Sequence, residues 1–142
     1  TGTRADCPVT KAPVLRFVPP APNTESPSHD VVWYGSNRLW TMIPISGEWN
    51  QLPHNSDGYT QKIFWWRKGY FWTDEPEPNL VVTGRRLDAA APPLNVSKAT
   101  NAFAPEIQSA MLVGVDFPTL GCWEITGVYS NAELSFVVWV AP

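Results

Sequence analysis

The fold is decided by a stretch late in the chain, CWEITGVYSNAELSFVVWV at residues 122–140. Residues 122–129 and 134–140 are rich in β-branched and aromatic side chains, which suit a half-buried pleated sheet. Residues 130–132, Ser-Asn-Ala, form the kind of short connection that joins two antiparallel strands. This stretch therefore predicts a β-hairpin.

Other short apolar segments precede this hairpin and are separated by loops rich in Pro, Gly and Asn. Residues 31–34 and 39–43 flank a turn-rich connector and predict a second hairpin. Only residues 104–110 have a pattern that could form a helix, and this helix would have one or two turns. Further strands are predicted at residues 62–67, 80–83, 94–97 and 111–115. The pattern predicts an all-β domain, either a β-sandwich or a small barrel.

Residues 1–30 differ from the rest, because they contain six of the fifteen prolines: Pro8, Pro13, Pro19, Pro20, Pro22 and Pro27. They predict an extended, partly polyproline-like arm, and residues 31–142 predict the sandwich domain. Two arrangements are open. The N-terminal arm is either a tether to a membrane anchor or a neighbouring domain, or it lies along the body and is held by Cys7.

Composition excludes several classes of function. A chain of 142 residues with 44% hydrophobic residues fits one folded domain. Its net charge of −3 argues against a nucleic-acid partner, which usually requires a basic stripe. No segment approaches the roughly 20 apolar residues of a transmembrane helix. The sequence begins without a signal-peptide pattern, so an export signal has either been removed or never existed.

The two cysteines, Cys7 and Cys122, lie far apart in sequence and show no zinc-binding spacing. One interpretation is a pair of independent buried thiols. The other is a disulfide bond that ties the N-terminal arm to the last hairpin. Because disulfides persist in oxidising compartments, the second interpretation favours an exported protein.

Short motifs at both ends of the chain resemble those of a group of uncharacterised bacterial exported proteins, many of them lipoprotein-like. The motifs are CPVT at residues 7–10, FPTLGCWEITG at 117–127 and LSFVVWV at 134–140. The last two are also similar to the ends of bacterial immunoglobulin-like modules. The resemblance implies an immunoglobulin-like β-sandwich of about 7–9 strands. It also implies an extracytoplasmic location, secreted or envelope-anchored, and allows an upstream lipid anchor. It carries no assigned activity, so no functional residue is transferred.

The sequence predicts no catalytic residue, metal ligand or cofactor. The two histidines, His29 and His54, lie in loops rich in proline and polar residues. Acidic residues 74–77 are interrupted by proline and predict a solvated loop. Glu48 and Glu124 each lie next to a tryptophan, and they keep open the alternative of a carboxylate-dependent hydrolase.

The middle of the chain is unusually aromatic. Neighbouring strand residues point to opposite faces of a sheet, so if Trp65 is in the core, Trp66 is exposed or covered by a loop or a partner. The predicted binding residues are Trp65, Trp66, Arg67, Tyr70 and Trp72. The competing interpretation is structural, with basic side chains or the N-terminal arm covering the aromatic rings.

These residues predict a non-catalytic binding or scaffolding domain of the bacterial cell envelope or extracellular space, with a protein or a glycan as its partner. An alternative is a structural assembly subunit that uses the N-terminal arm to dock onto a neighbour.

Overall fold

The structure is a computed structural model that describes residues 2–24 and 28–142. Within these residues it contains eleven β-strands and one short 3₁₀-helix, Arg4–Asp6. The strands are β1 (Val31–Ser36), β2 (Leu39–Pro44), β3 (Glu48–Trp49), β4 (His54–Asn55), β5 (Gly58–Trp66), β6 (Leu80–Arg86), β7 (Asn95–Val96), β8 (Thr100–Ala104), β9 (Gln108–Phe117), β10 (Gly121–Tyr129) and β11 (Ala132–Val140). The described helical content is too short and too polar to cross a membrane.

The strands form two sheets. The first sheet has the order β1-β2-β5-β9-β7, with β4 added to β5 and β8 added to β9. The second sheet has the order β3-β11-β10-β6. All strand pairs are antiparallel except β3 with β11. The predicted β-sandwich is confirmed.

The core between the sheets follows from the alternation of side chains along the strands. In β9, Met111, Val113, Val115 and Phe117 all belong to one buried cluster. The facing strands contribute Leu80, Val82, Trp123, Ile125, Phe136, Val138 and Val140. Burial of this many large apolar side chains is the main stabilising contribution to the sandwich.

A second aromatic cluster covers the outer face of the first sheet. Trp33, Trp40 and Trp66 are all buried there. The Trp33 and Trp66 rings meet edge-to-face at 5.0 Å, and the Trp40 and Trp66 rings are parallel at 6.4 Å. Phe17 of the N-terminal arm packs on Trp40 at 5.7 Å between ring centroids. The first sheet is therefore apolar on both faces, and the N-terminal arm shields the outer one.

The N-terminal arm contacts the sandwich at several points. Cys7 and Cys122 form the disulfide bond, which closes a sequence separation of 115 residues. The backbone N–H of Thr10 donates to the carbonyl of Val137 at 2.9 Å, beside β3 on the edge of β11. Further along the arm, the Asn23 side-chain amide donates to the backbone carbonyl of Ile107, in the turn between β8 and β9. Of the two interpretations of the cysteines, the disulfide is confirmed.

Three details of the predicted strand pattern were wrong. Residues 104–110, predicted to have a helical look, instead end β8, turn, and begin β9, because pairing between the two strands overrides local preference. Residues 54–55 and 58–61, where no strand was predicted, form β4 and the start of β5. The strands number eleven in the described part of the chain rather than 7–9, and three of them have only two residues.

Candidate binding surface at one end of the sandwich

Three connections meet at one end of the sandwich. They are the β1–β2 turn, the β5–β6 loop and the β10–β11 turn. The backbone N–H of Lys68 donates to the carbonyl of Asn37 at 2.8 Å, which holds the first two connections together. The third contributes Ser130, whose φ of 55° lies in the left-handed region. Strand pairing at the base of each turn fixes their positions.

Arg67 is at the centre of this end and links the connections. Its Nε donates to the Tyr129 hydroxyl at 3.0 Å. That hydroxyl in turn donates to Glu75 Oε1 at 2.6 Å, and Arg67 Nη2 lies 3.6 Å from the same carboxylate oxygen. The Arg67 guanidinium also lies 5.5 Å from the Tyr129 ring centroid. Because Arg67 and Glu75 lie in the β5–β6 loop and Tyr129 ends β10, this network fixes the β5–β6 loop against β10.

Tyr70 completes the network. Its hydroxyl donates to the Glu75 backbone carbonyl at 2.7 Å, and the Arg67 guanidinium lies 5.6 Å from its ring centroid. Two tyrosine rings therefore flank one guanidinium, an arrangement that favours the cation.

The network shifts the proton affinities of its members. Burial, and then the Glu75 carboxylate, raise the pKa of Tyr70 to about 12. Burial and the hydrogen bond to Glu75 also raise the pKa of Tyr129. Burial lowers the pKa of Arg67, but the Tyr129 hydroxyl and the Glu75 carboxylate more than offset this, and the net shift is upward. Both tyrosines therefore stay neutral and Arg67 stays charged at any physiological pH.

A cationic cleft of about 500 Å³ lies on one side of Arg67. Its lining includes Arg38 and Lys68, two exposed cations, together with the amides of Asn37 and Asn131. Within residues 2–24 and 28–142, neither Arg38 nor Lys68 has an acidic partner. The cleft therefore presents positive charge that is not neutralised internally.

An aromatic surface lies on the other side of Arg67. Phe71 and Phe103 are 50% and 49% exposed, which is unusual for phenylalanine. The Trp72 ring stacks on Phe103 at 5.9 Å. The backbone of Trp72 is held at both ends, because its N–H donates to Ser109 Oγ and its carbonyl accepts from the Asn101 amide. Together, the cationic cleft and this aromatic surface are called the binding surface below.

The structure brings three of the five predicted binding residues to this surface and places two elsewhere. Arg67, Tyr70 and Trp72 lie on it or border it. Trp65 is buried between the sheets, and Trp66 is buried beneath the N-terminal arm, so in this structure neither presents an exposed ring. As expected, Trp65 and Trp66 point to opposite faces of the first sheet. Both of these sheet faces are covered, so both side chains are buried.

Sequence reasoning missed Arg38, Tyr129 and Phe103, which come from distant segments. The two hairpin turns were predicted, but nothing local indicated that they lie at the same end as the β5–β6 loop. The one signal that could have found these residues is the strand topology. Connections that follow strands running in the same direction leave the sandwich at the same end, so their residues lie close together.

The residues considered for catalysis and metal binding do not come together in one site. Glu48 pairs with Arg4 at 3.1 Å, and Glu124 pairs with Arg85 at 2.9 Å. The His54 ring stacks on Tyr59 at 4.1 Å. Among the described residues, no three His, Cys, Asp or Glu side chains converge to form a metal-binding group.

The chain matches no protein-family model, no curated protein and no solved structure. The resemblance to bacterial exported proteins therefore stays a prediction. The Cys7–Cys122 disulfide is consistent with an extracytoplasmic location.

Proposed function

We propose that this protein is a non-catalytic binding domain of the bacterial cell envelope or extracellular space, and that its binding surface takes an acidic glycan. The single observation that carries the proposal is the pair of unpartnered cations, Arg38 and Lys68, at the mouth of a cleft in an otherwise acidic protein.

The charge pattern supports an anionic ligand. Five other basic side chains are neutralised by nearby carboxylates: Arg4, Arg67, Arg85, Arg86 and Lys98. Unneutralised cations in one cleft attract anionic groups and accelerate their association. A net charge of −3 over the whole chain disfavours nucleic acid, whose binding usually requires a basic stripe.

The uncharged groups support a glycan rather than a protein. The amides of Asn37 and Asn131 offer both donors and acceptors, which match sugar hydroxyls. Phe71 and Phe103 offer flat apolar area beside them. Protein interfaces of standard size bury about 800 Å² on each partner, with an apolar centre. Two half-exposed phenylalanines and a polar cleft fit a narrow, hydroxylated ligand better.

The proposal includes an immunoglobulin-like class for the sandwich and an envelope-anchored or secreted location. Two facing sheets with mainly antiparallel strands, and Trp123 in the core between them, support the first. The disulfide supports the second.

The test is a titration followed by tryptophan fluorescence, with polygalacturonate as the acidic glycan and dextran as the neutral one. We expect saturable binding of polygalacturonate that weakens at high salt, and none of dextran. Arg38→Ala and Lys68→Ala should each weaken binding about tenfold, or about 1.4 kcal/mol. Lys62→Ala removes an exposed lysine from β5, outside the cleft, and is the matched control. Equal effects of all three substitutions, or equal binding of both glycans, would refute the proposal.

A second candidate, an assembly subunit, rests on a different observation. Val14 and Leu15 of the N-terminal arm are 100% and 89% exposed. Adjacent apolar side chains at full exposure favour contact with another protein. If this candidate is correct, the protein will sediment as an oligomer, and the double variant Val14→Ser/Leu15→Ser will sediment as a monomer. A monomeric parent protein would exclude assembly through identical copies.

A further inference from the structure

A second, smaller pocket of about 160 Å³ lies under the N-terminal arm, next to the binding surface. Its walls are mainly rings, from Trp40, Tyr70, Phe71 and Phe103, closed on one side by Pro20 and Pro22. Sites for drug-sized ligands usually exceed about 300 Å³, so this pocket has room for one ring only. It is called the arm pocket below.

Polar groups are interspersed among these rings. Arg67 borders the arm pocket as well as the cationic cleft, and so joins the two. Asn23, Gln108 and Ser109 also line it.

The arm pocket is already formed without a ligand. Asn23 holds the N-terminal arm in place through its hydrogen bond to the Ile107 carbonyl, which also accepts from Trp66 Nε1. Gln108 has a φ of 58°, in the left-handed region that non-glycine residues rarely adopt, and its amide donates to the Pro105 carbonyl. Such conformations persist where surrounding contacts impose them, and they concentrate at binding sites.

We propose that the arm pocket binds one sugar ring that carries a carboxylate, as a terminal or branch unit of the acidic glycan. This inference rests on the proposed function and names the ligand class of the same surface. A pyranose has apolar C–H faces and a polar edge, which match a pocket of rings interrupted by an amide, a hydroxyl and a guanidinium. Its carboxylate pairs with Arg67, which has five N–H donors. Two of these donate hydrogen bonds within the described residues, and Arg67 Nη2 lies 3.6 Å from Glu75 Oε1, so the ligand carboxylate would share the guanidinium with Glu75.

Arg67 also argues against a cationic ligand in the arm pocket. Cages of aromatic rings commonly hold quaternary ammonium groups. Here the Arg67 guanidinium already lies over the rings of Tyr70 and Tyr129, so these two faces are not open to a second cation.

The test separates the arm pocket from the cationic cleft by ligand size. Monomeric galacturonic acid and galactose are titrated by calorimetry and by ligand-observed NMR into the wild type and four variants. Phe71→Ala and Phe103→Ala change half-exposed rings that line the arm pocket, so the core stays intact. Val81→Ala, at an exposed position in β6, is the matched control. Lys68→Ala changes the cleft alone.

We expect galacturonic acid to bind at least tenfold more tightly than galactose. Phe71→Ala and Phe103→Ala should each weaken this binding at least fivefold, while Lys68→Ala and Val81→Ala change it less than twofold. If polygalacturonate binds but the monosaccharide does not, the arm pocket is not the site, and the proposed function stands. If the monosaccharide binds equally well to all variants, the arm pocket is also excluded. If neither ligand binds, both proposals fall.

Discussion

Trp65 of the first sheet lies against Gly127 of the second, so closely that a Cβ added to this glycine would come within 2.6 Å of the indole Cζ3. The large ring fits between the sheets only because its neighbour has no side chain. Gly127→Ala forces either the ring or β10 to shift, and we expect it to destabilise the fold by about 2–3 kcal/mol, as overpacked cores do. Urea denaturation measures the change in unfolding free energy.

Gly114→Ala is the control for this substitution. Gly114 lies within β9, and the nearest atom to an added Cβ is Ser97 Oγ at 3.4 Å. We expect a change within about 0.5 kcal/mol. A similar loss in both variants would mean that glycine flexibility in the strands matters and that contact with Trp65 does not.

Removal of the disulfide should destabilise the whole domain. The double variant Cys7→Ala/Cys122→Ala opens a loop of 115 residues, and the chain-entropy model expects a loss of about 4–5 kcal/mol. Reduced wild-type protein should show the same loss. Trypsin should also cleave after Lys11 and Arg16 faster in the variant than in the oxidised protein, because one anchor of the N-terminal arm is gone. Unchanged cleavage rates would show that the remaining contacts hold the arm without the bond.

Asp88 should make the unfolding free energy depend on pH in the acidic range. Hydrogen bonds from Arg86, and the backbone N–H groups of Cys122 and Gly2, lower the pKa of Asp88 to about 2, although burial opposes them. Because the folded-state pKa is below the unfolded value, the carboxylate stabilises the fold above about pH 4 and loses this effect as the pH falls through about 2. The contribution is on the order of 1–2 kcal/mol.

The measurement compares unfolding free energies at neutral and acidic pH for the wild type and Asp88→Asn. We expect the variant to be less stable at neutral pH, with the difference shrinking as the pH falls. Asp74→Asn, at an exposed position in the β5–β6 loop, should follow the wild-type curve. Parallel curves for all three proteins would show that Asp88 contributes nothing to acid sensitivity.

The contact between Phe17 and Trp40 should report on whether the N-terminal arm is in place. Phe17→Ala removes a half-buried ring from above Trp40, and we expect a loss of about 1–2 kcal/mol, less than for a fully buried phenylalanine. Tryptophan emission should shift to longer wavelength as water reaches the cluster. Leu15→Ala changes an exposed side chain in the same segment, and it should leave both stability and emission unchanged.

The sequence predicted what depends on near neighbours in the chain. Alternation along a strand correctly placed Trp65 and Trp66 on opposite faces, and turn residues located the hairpins at residues 35–38 and 130–132. The pairing of Cys7 with Cys122 was one of two open interpretations. It could not be decided without knowing that the N-terminal arm returns to the start of β10.

The binding surface was less predictable because it depends on distant residues. Arg67 and Tyr70 belonged to the predicted site, but their partner Tyr129 lies at the end of β10, 62 residues after Arg67. The burial of Trp66 likewise depends on distant residues, because its Nε1 donates to the Ile107 carbonyl 41 residues later, and Phe17 of the N-terminal arm packs against the same aromatic cluster. Local periodicity carries no information about such pairs.

The disulfide also determines where mechanical tension would travel. Cys7 is bonded to Cys122, and Cys122 pairs directly with Trp139 in β11. A pull that arrived at residue 7 would cross from the disulfide into one pair of strands, and residues 8–121 would lie outside the strained covalent path. The segment that closes the arm pocket lies within this bypassed loop and would therefore carry no tension along its own backbone. If the protein is anchored to the cell envelope as proposed, a ligand bound under the arm would be held through contacts that bear no load.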